Sequence, residues 1–415
     1  AENIPAFDMV VTNLYPFADT AERTSDESER LEMIDIGGVA LIRAAAKNFR
    51  GVVVICDVGD YEIVSRELEE SGDVSTETRK SLAAKAFRHT AHYDSTIAKT
   101  LSAETFPEYL PTTLSRSRIL RYGENPHQEA ALYADSSEKF GLPLAEQLWG
   151  KKLSYNNILD LDAVHAALLE FAGETASVVV KHVSPCGLAR GDSPLTAYKG
   201  ALAGDPMSAF GGIVGMTVPV DEDTARAMSE HYFECVLAPD YSPAALEILK
   251  GKKNIRLMKM KLERPEDPPR IIRGIAGGAL VQLMDPPGME PARWEVVSRR
   301  KPTPREEKAL KFAWRAIKTV KSNSILIAGE NAVYGIGGGL PSRVDAAKLA
   351  VTKAGEKADG AVASSDAFFP FPDGVEALVD AGITAVVQPG GSIRDEKVTK
   401  RADELDIAMI HTGTR

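Results

Sequence analysis

A lysine and a histidine stand side by side at Lys181 and His182, directly after three β-branched residues, Val178 to Val180. The apolar run reads as a short buried strand, and Ser184-Pro185 is expected to break it. That leaves a cation and an imidazole at the carboxyl end of a strand, where open α/β sheets keep their ligands. A lysine among apolar neighbours loses part of its preference for the charged form, and a histidine titrates near neutrality, so the pair suits proton traffic. The plain alternative is a strand that closes on two solvated polar residues. Other chemistry-bearing residues cluster in loops. Leu120 to Gln128 packs Arg121, Tyr122, Asn125 and His127 around Gly123 and Pro126, a polar density typical of functional loops. Asp35, Gly37 and Gly38 precede a helix whose first N–H groups could hold an anion. The basic run Lys250 to Asn254 reads as solvated surface or as a phosphate contact. His89 and His92 fall on adjacent helical turns without a third ligand, so they read as packing or surface residues.

The elements that must position these groups alternate between strand and helix, which is α/β organisation. Asp8 to Thr12 and Gly51 to Cys56 are expected strands flanking the helix of IDIGGVALIRAAAKN, and Tyr61 to Ser102 is helical and charged. Two prolines and a Thr/Ser cluster between Phe106 and Ser117 place a domain boundary there. A helix over Leu159 to Phe171 leads into the Val178 strand, and Asp205 to Gly212 is a glycine-rich turn. The proline-rich segment Lys261 to Arg270 is expected to link two halves of the second region. Thr303, Pro304 and Glu306 spell a capping box, and helical apolar spacing follows through Val320. Gly335 to Gly339 reads as a loop, and Ser392 with Asp395 as a second capping signal.

With 415 residues the chain should hold two to three domains, and a net charge of -10 with a pI of 5.4 disfavours backbone-driven nucleic-acid binding. Cys56, Cys186 and Cys235 are widely spaced, which excludes a disulfide framework or a CxxC metal site and fits a reducing cytoplasm. No signal peptide, membrane-length apolar run or internal repeat stands out.

The motifs NLYPF, IDIGG, AAAKN, RYGENPHQ, VVKHVSPCG, VKSN, SSDAFFPF and QPGGSIRDEKV together resemble the bifunctional AICAR transformylase/IMP cyclohydrolase family, in that family's order and over essentially the whole chain. The resemblance implies an α/β protein: a partial methylglyoxal-synthase-like cyclohydrolase domain over residues 1–117, then a transformylase over 118–415. The latter would comprise two cytidine-deaminase-like α/β/α subdomains, about 118–265 and 266–415. It implies a cytoplasmic homodimer with sites at the interface, no nucleic-acid or membrane partner and no catalytic metal. The implied activity moves a formyl group from 10-formyltetrahydrofolate to AICAR. Lys181, His182 and Asn323 match catalytic positions. Arg121, Tyr122, Asn157, Lys253, Arg343 and Arg415 match AICAR-binding positions, and Phe210, Gly211, Glu234, Phe368 and Asp373 match folate-lining ones. Tyr15, Asp35, Gly37, Gly38 and Lys47 are the matching cyclohydrolase positions. The family's Ser-Thr-Gly-Gly-Thr and Lys-Thr-Leu-His-Pro motifs have no counterpart here, so formyl transfer is expected and ring closure by this chain unaided is not. Leu340-Pro341 replaces the family's glutamine before Ser342-Arg343. Two other readings compete: a degenerate nucleotide-binding protein, and a zinc deaminase, which would need a cysteine where the chain has Ala189.

Overall fold

The computed structural model describes residues 6–102, 104–135, 140–265, 267–289 and 291–414. The chain divides into two compact units, Ala1–Arg116 with Tyr133–Glu138, and Ser117–Leu132 with Lys139–Arg415.

The first unit runs β1 (Met9–Val11), α1 (Phe17–Arg23), α2 (Glu27–Glu32), α3 (Gly37–Lys47), β2 (Val53–Ile55), α4 (Tyr61–Ser71) and α5 (Thr76–Leu101). β1 and β2 pair in parallel, with Met9 opposite Val53. The charged stretch after Tyr61 is two helices because Gly72 ends α4 at φ 74° and the Ser75 side chain then caps α5 through the Thr78 N–H. Ile42, Val54, Leu82 and Ala86 form its core. β3 (Ser115–Ile119) and β4 (Ala131–Ala134) span the boundary between the units.

The second unit is built twice over. Its first half comprises β5 (Glu146–Trp149), α6 (Tyr155–Glu170), β6 (Ala176–Lys181), β7 (Ser184–Arg190), α7 (Pro194–Leu202), α8 (Pro206–Ala209), β8 (Ile213–Met216), α9 (Glu222–Ser229), β9 (Cys235–Ala238), α10 (Pro243–Lys250) and β10 (Arg256–Lys259). A hairpin of β11 (Arg270–Ile275) and β12 (Gly278–Leu283) follows. The second half then comprises β13 (Glu295–Val296), α11 (Pro304–Ile317), β14 (Ile325–Ala328), β15 (Val333–Gly337), α12 (Arg343–Ala354), β16 (Val362–Ser365), α13 (Asp373–Val379), β17 (Ala385–Gln388), α14 (Asp395–Glu404) and β18 (Ala408–His411). The sheets run β5-β10-β9-β8-β6-β7 and β13-β18-β17-β16-β14-β15, the same order with the same parallel and antiparallel pairings. No repeat stands out in the sequence, yet the fold repeats.

Both sheets carry helices on both faces, which is why Val178, Val179 and Val180 form an unbroken apolar run. α6 and α11 share one core, where the Phe171 and Phe312 rings lie 5.5 Å apart. α12, α13 and α14 cover the outer face of the second sheet. The halves meet at their edge strands through an antiparallel bridge between Ala189 of β7 and Ala332, the residue before β15. Arg190 ties this seam, with Nε donating to Asn331 Oδ1 at 2.9 Å and Nη2 to the Glu330 carbonyl at 3.0 Å.

Three local expectations change. Ser184-Pro185 is not what ends the Val178 strand: β6 ends at Lys181 in the hairpin turn, and Ser184-Pro185 opens β7, an edge strand in which Pro185 sits at a register shift opposite Val180. Gly335 and Gly337 belong to strand β15 and not to a loop; a Cβ at either would run into the backbone of α12, so glycine lets the helix lie directly on the strand. Ser392 does not cap α14. Its N-cap is Arg394, and Asp395 instead accepts the Ser392 N–H at 3.1 Å.

Candidate active site

Lys181 ends β6 and His182 and Val183 are the two-residue loop of the β6–β7 hairpin, with Lys181 opposite Ser184. Both loop residues have positive φ, 53° and 61°, the backbone sense that matches the twist of a two-residue hairpin. For residues bearing a Cβ this conformation costs on the order of 1–3 kcal/mol each and marks a place where the surroundings hold the chain. His182 is exposed at the tip, and Lys181 Nζ donates to the Phe210 carbonyl at 2.7 Å.

Lys181 does not stand at the carboxyl edge of the parallel strands. β6 is antiparallel to β8, so Lys181 lies at the amino-terminal ends of the parallel strands β8, β9 and β10 and not at their carboxyl ends. The register aligns Val180, Ile213, Cys235 and Arg256 along this edge, which gathers Lys181, Phe210, Gly211, Glu234 and the exposed Lys253. Gly211 turns at φ 75° and its N–H donates to the Tyr232 carbonyl, while the Phe210 ring lies 5.3 Å from that of Tyr232. Ser154 caps α6 in a reciprocal box with Asn157, whose Nδ2 donates to Glu234 Oε2 at 2.8 Å. Arg256 Nη1 stands 3.6 Å from the same oxygen. Arg121 Nη2 donates to the Tyr122 hydroxyl at 2.7 Å, with its guanidinium 4.5 Å from that ring. The Tyr122 carbonyl accepts the Tyr155 N–H, which fixes this loop at the start of α6.

The antiparallel seam of β7 with β15 brings the second half to the same place. Lys181, His182, Ser184 and Cys186 from one half and Lys321, Gly338 and Lys353 from the other line a cavity of about 420 Å3. Asp205 crosses it to Lys353 Nζ at 2.7 Å; burial alone would raise the Asp205 carboxyl, but Lys353 and the Ser208 hydroxyl and N–H outweigh it and lower the group. Asn323 follows Lys321 by two residues, and its Nδ2 donates to the Leu340 and Pro341 carbonyls at 3.1 Å each. Leu340-Pro341 thus presents backbone oxygens to Asn323. Arg343 is buried at the start of α12 and gives Nη2 to Asn323 Oδ1 at 2.6 Å and Nη1 to Asp366 Oδ1 and Ser365 Oγ at 2.8 Å. Its described contacts hold Asn323 and do not reach the cavity. Phe368 is partly exposed after β16, and Asp373 begins α13, where Oδ1 accepts the Gly374 N–H. Neither lines the cavity. Arg415 lies outside the described residues.

In the first unit the Tyr15 N–H and the Gly38 N–H donate to Asp35, at 3.3 and 2.6 Å. The carboxylate at this helix start is therefore the chain's own. Gly37 and Lys47 are the first and last residues of α3, so the helix length of about 15 Å separates Lys47 from the Asp35 turn. Cys186 does not offer a ready thiolate, since burial pushes it up to about 11, and Ala189 is buried in the seam. Among the described residues no group of three or more His, Cys, Asp or Glu side chains could hold a metal ion, and no helix is long and apolar enough to cross a membrane.

The family model for the AICARFT/IMPCHase bienzyme matches residues 45–353. The chain belongs to that family. Among its relatives is the bifunctional purine biosynthesis protein PurH of Halalkalibacterium halodurans, 47% identical over 418 residues, which span 100% of this chain and 82% of that protein. The proteins of the same description from Anoxybacillus flavithermus and Myxococcus xanthus are each 47% identical, over 422 and 426 residues, with the same coverage. A solved structure described as the crystal structure of ForH matches 24% of this chain and 53% of its own at 37% identity, with a TM-score of 0.21, too small an overlap to bear on the fold. Three pairings were not announced by any spacing between the partners: Asp205 with Lys353, the Arg394 guanidinium 4.3 Å from the Phe371 ring, and Asp160 with the His182 turn. Only Asp160 left a signal, falling three residues after Asn157 and so on the same face of α6.

Proposed function

We infer that the second unit performs the chain's family activity, transfer of a formyl group from 10-formyltetrahydrofolate to the 5-amino group of AICAR, giving formyl-AICAR and tetrahydrofolate in purine biosynthesis. The observation that carries the residue assignment is the shared cavity: the Lys181-His182 turn and the segment leading to Asn323 approach one space from the two halves. The amine of AICAR is a weak nucleophile, so His182, exposed at the tip, takes its proton as carbon–nitrogen bond formation proceeds. Lys181 stabilises the oxyanion on the formyl carbon or protonates the leaving folate nitrogen. Asn323, held by Arg343, orients the reacting groups. Arg121, Tyr122 and Lys253 bind the nucleotide, Asn157 and Glu234 act as a hydrogen-bonded pair at the sheet edge, and Phe210, Gly211, Phe368 and Asp373 take the folate, where a pterin wants aromatic and backbone partners.

The repeated sheet order supports two like α/β/α subdomains, divided near residue 265, of cytidine-deaminase type. Residues 1–117 would be the methylglyoxal-synthase-like part, with Tyr15 and Asp35 at its site. A cytoplasmic homodimer is proposed with them, and the apolar hairpin β11–β12 supports the dimer. Incubating the chain with AICAR and 10-formyltetrahydrofolate tests the reading: tetrahydrofolate release is expected, with IMP followed separately from purified formyl-AICAR. No tetrahydrofolate release by folded protein would sink the transfer assignment.

A further inference from the structure

The loop that carries His182 is held from outside the hairpin. Both of its residues have positive φ, and Val183 is β-branched, a combination rarely adopted without support. The support comes from α6. Asp160 Oδ1 accepts the Val183 N–H at 2.6 Å. That bond fixes the peptide between His182 and Val183, and bonds to a charged acceptor are about twice as strong as neutral ones. Asp160 is half-buried and three residues after Asn157, so one helix face holds both Glu234 and the His182 turn. Burial pushes the Asp160 carboxyl up, against the pull of the Val183 N–H and of His182. It is thus a desolvated acceptor committed to the loop.

We propose that Asp160 is a positioning residue for formyl transfer: by gripping the backbone of the His182-Val183 turn it sets the direction in which the His182 ring leaves the chain. The proposal rests on the reading of His182 as the base. It is tested by a double-mutant cycle on the full chain, with kcat and both KM values measured for Asp160→Ala, His182→Ala and the double variant, each checked for a native melting transition. Asp160→Ala is expected to lower kcat about 10- to 100-fold with KM for AICAR little changed, the loss typical of a catalytic group displaced by about 1 Å. Asp160→Asn keeps an acceptor for Val183 and should recover most of the rate. In the His182→Ala background the Asp160→Ala change should cost less than about twofold, because its effect travels through the ring. Asp160→Glu keeps the charge but moves the acceptor by one methylene, and should lose kcat as the alanine variant does; this keeps the test decisive if Asp160→Ala does not fold. Additive losses, or full activity in Asp160→Glu or Asp160→Ala, would overturn the positioning role. Unchanged turnover in His182→Ala would sink the base assignment itself, whatever Asp160 does.

Discussion

A group that takes a proton from a substrate needs an open nitrogen and a fixed backbone, and His182 has both: an exposed side chain on a loop held at Val183 by Asp160. His182→Ala is therefore expected to leave the melting transition in place and to cut formyl transfer by about two to four orders of magnitude, the worth of a general base. Steady-state rates at saturating AICAR and folate check this, and near-wild-type turnover would contradict it. Lys181→Ala should be comparably damaging, whereas Lys250→Ala, at the end of α10 with its amine 3.9 Å from Glu247, should be silent. Arg121 offers a guanidinium already oriented by the Tyr122 hydroxyl and ring. Such a fork binds phosphate oxygens in a way water does not replace. Arg121→Ala should raise KM for AICAR far more than KM for the folate; equal rises would point to a structural role for the loop.

The helices and strands that hold these residues depend on their ends and close approaches. At the start of α11, burial alone would raise the Glu306 carboxyl, but Arg300, the Thr384 hydroxyl and Thr303 outweigh it and bring the group down to about 2. Arg300 Nη2 lies 2.6 Å from one oxygen and the Thr303 N–H 2.7 Å from the other. A folded-state value below the unfolded one means the contribution is present above about pH 4.5 and is lost as pH falls toward the folded value. Unfolding free energy measured across about pH 5 to 2 should thus fall more steeply for the wild type than for Glu306→Gln. In β7, a Cβ on Gly187 would strike the Ala201 carbonyl of α7, as one on Gly337 would strike that of Ala346 in α12. Gly187→Ala should cost about 1–3 kcal/mol as overpacking, read as a lower denaturation midpoint. An unchanged midpoint would show that α7 can shift.

At the scale of the whole molecule the β11–β12 hairpin is incomplete as it stands. Ile271, Ile275 and Leu280 project to one face and Ile272 and Leu283 to the other, and all five are exposed. An isolated two-stranded hairpin is marginal in water, and apolar residues on both faces need cover. A second copy of the chain supplies it in the proposed dimer. Light scattering should give twice the 44.7 kDa of one chain, and Ile275→Lys with Leu280→Lys should shift the mass toward a single chain. A monomeric wild type would remove the dimer from the mechanism.

Local chemistry was legible in the sequence because it acts over a few residues. The Thr303–Glu306 box, the α11 apolar spacing, the buried valines of β6 and the Lys181-His182 pair at its end all stand where the pattern puts them. Family motifs added residue roles that no spacing supplies. What the sequence did not contain is pairing across long separations. Strand β7 can open on Ser184-Pro185 because it lies on an edge beside β6, and Gly335 and Gly337 form strand because α12 rests on them. The duplication is invisible as a repeat because topology requires apolar strands in order and not like residues. Helix length alone would have separated Lys47 from Asp35. The joining of His182 to the Lys321–Asn323 segment, by contrast, was decided only by tertiary structure, through an antiparallel seam between edge strands whose register no local pattern encodes.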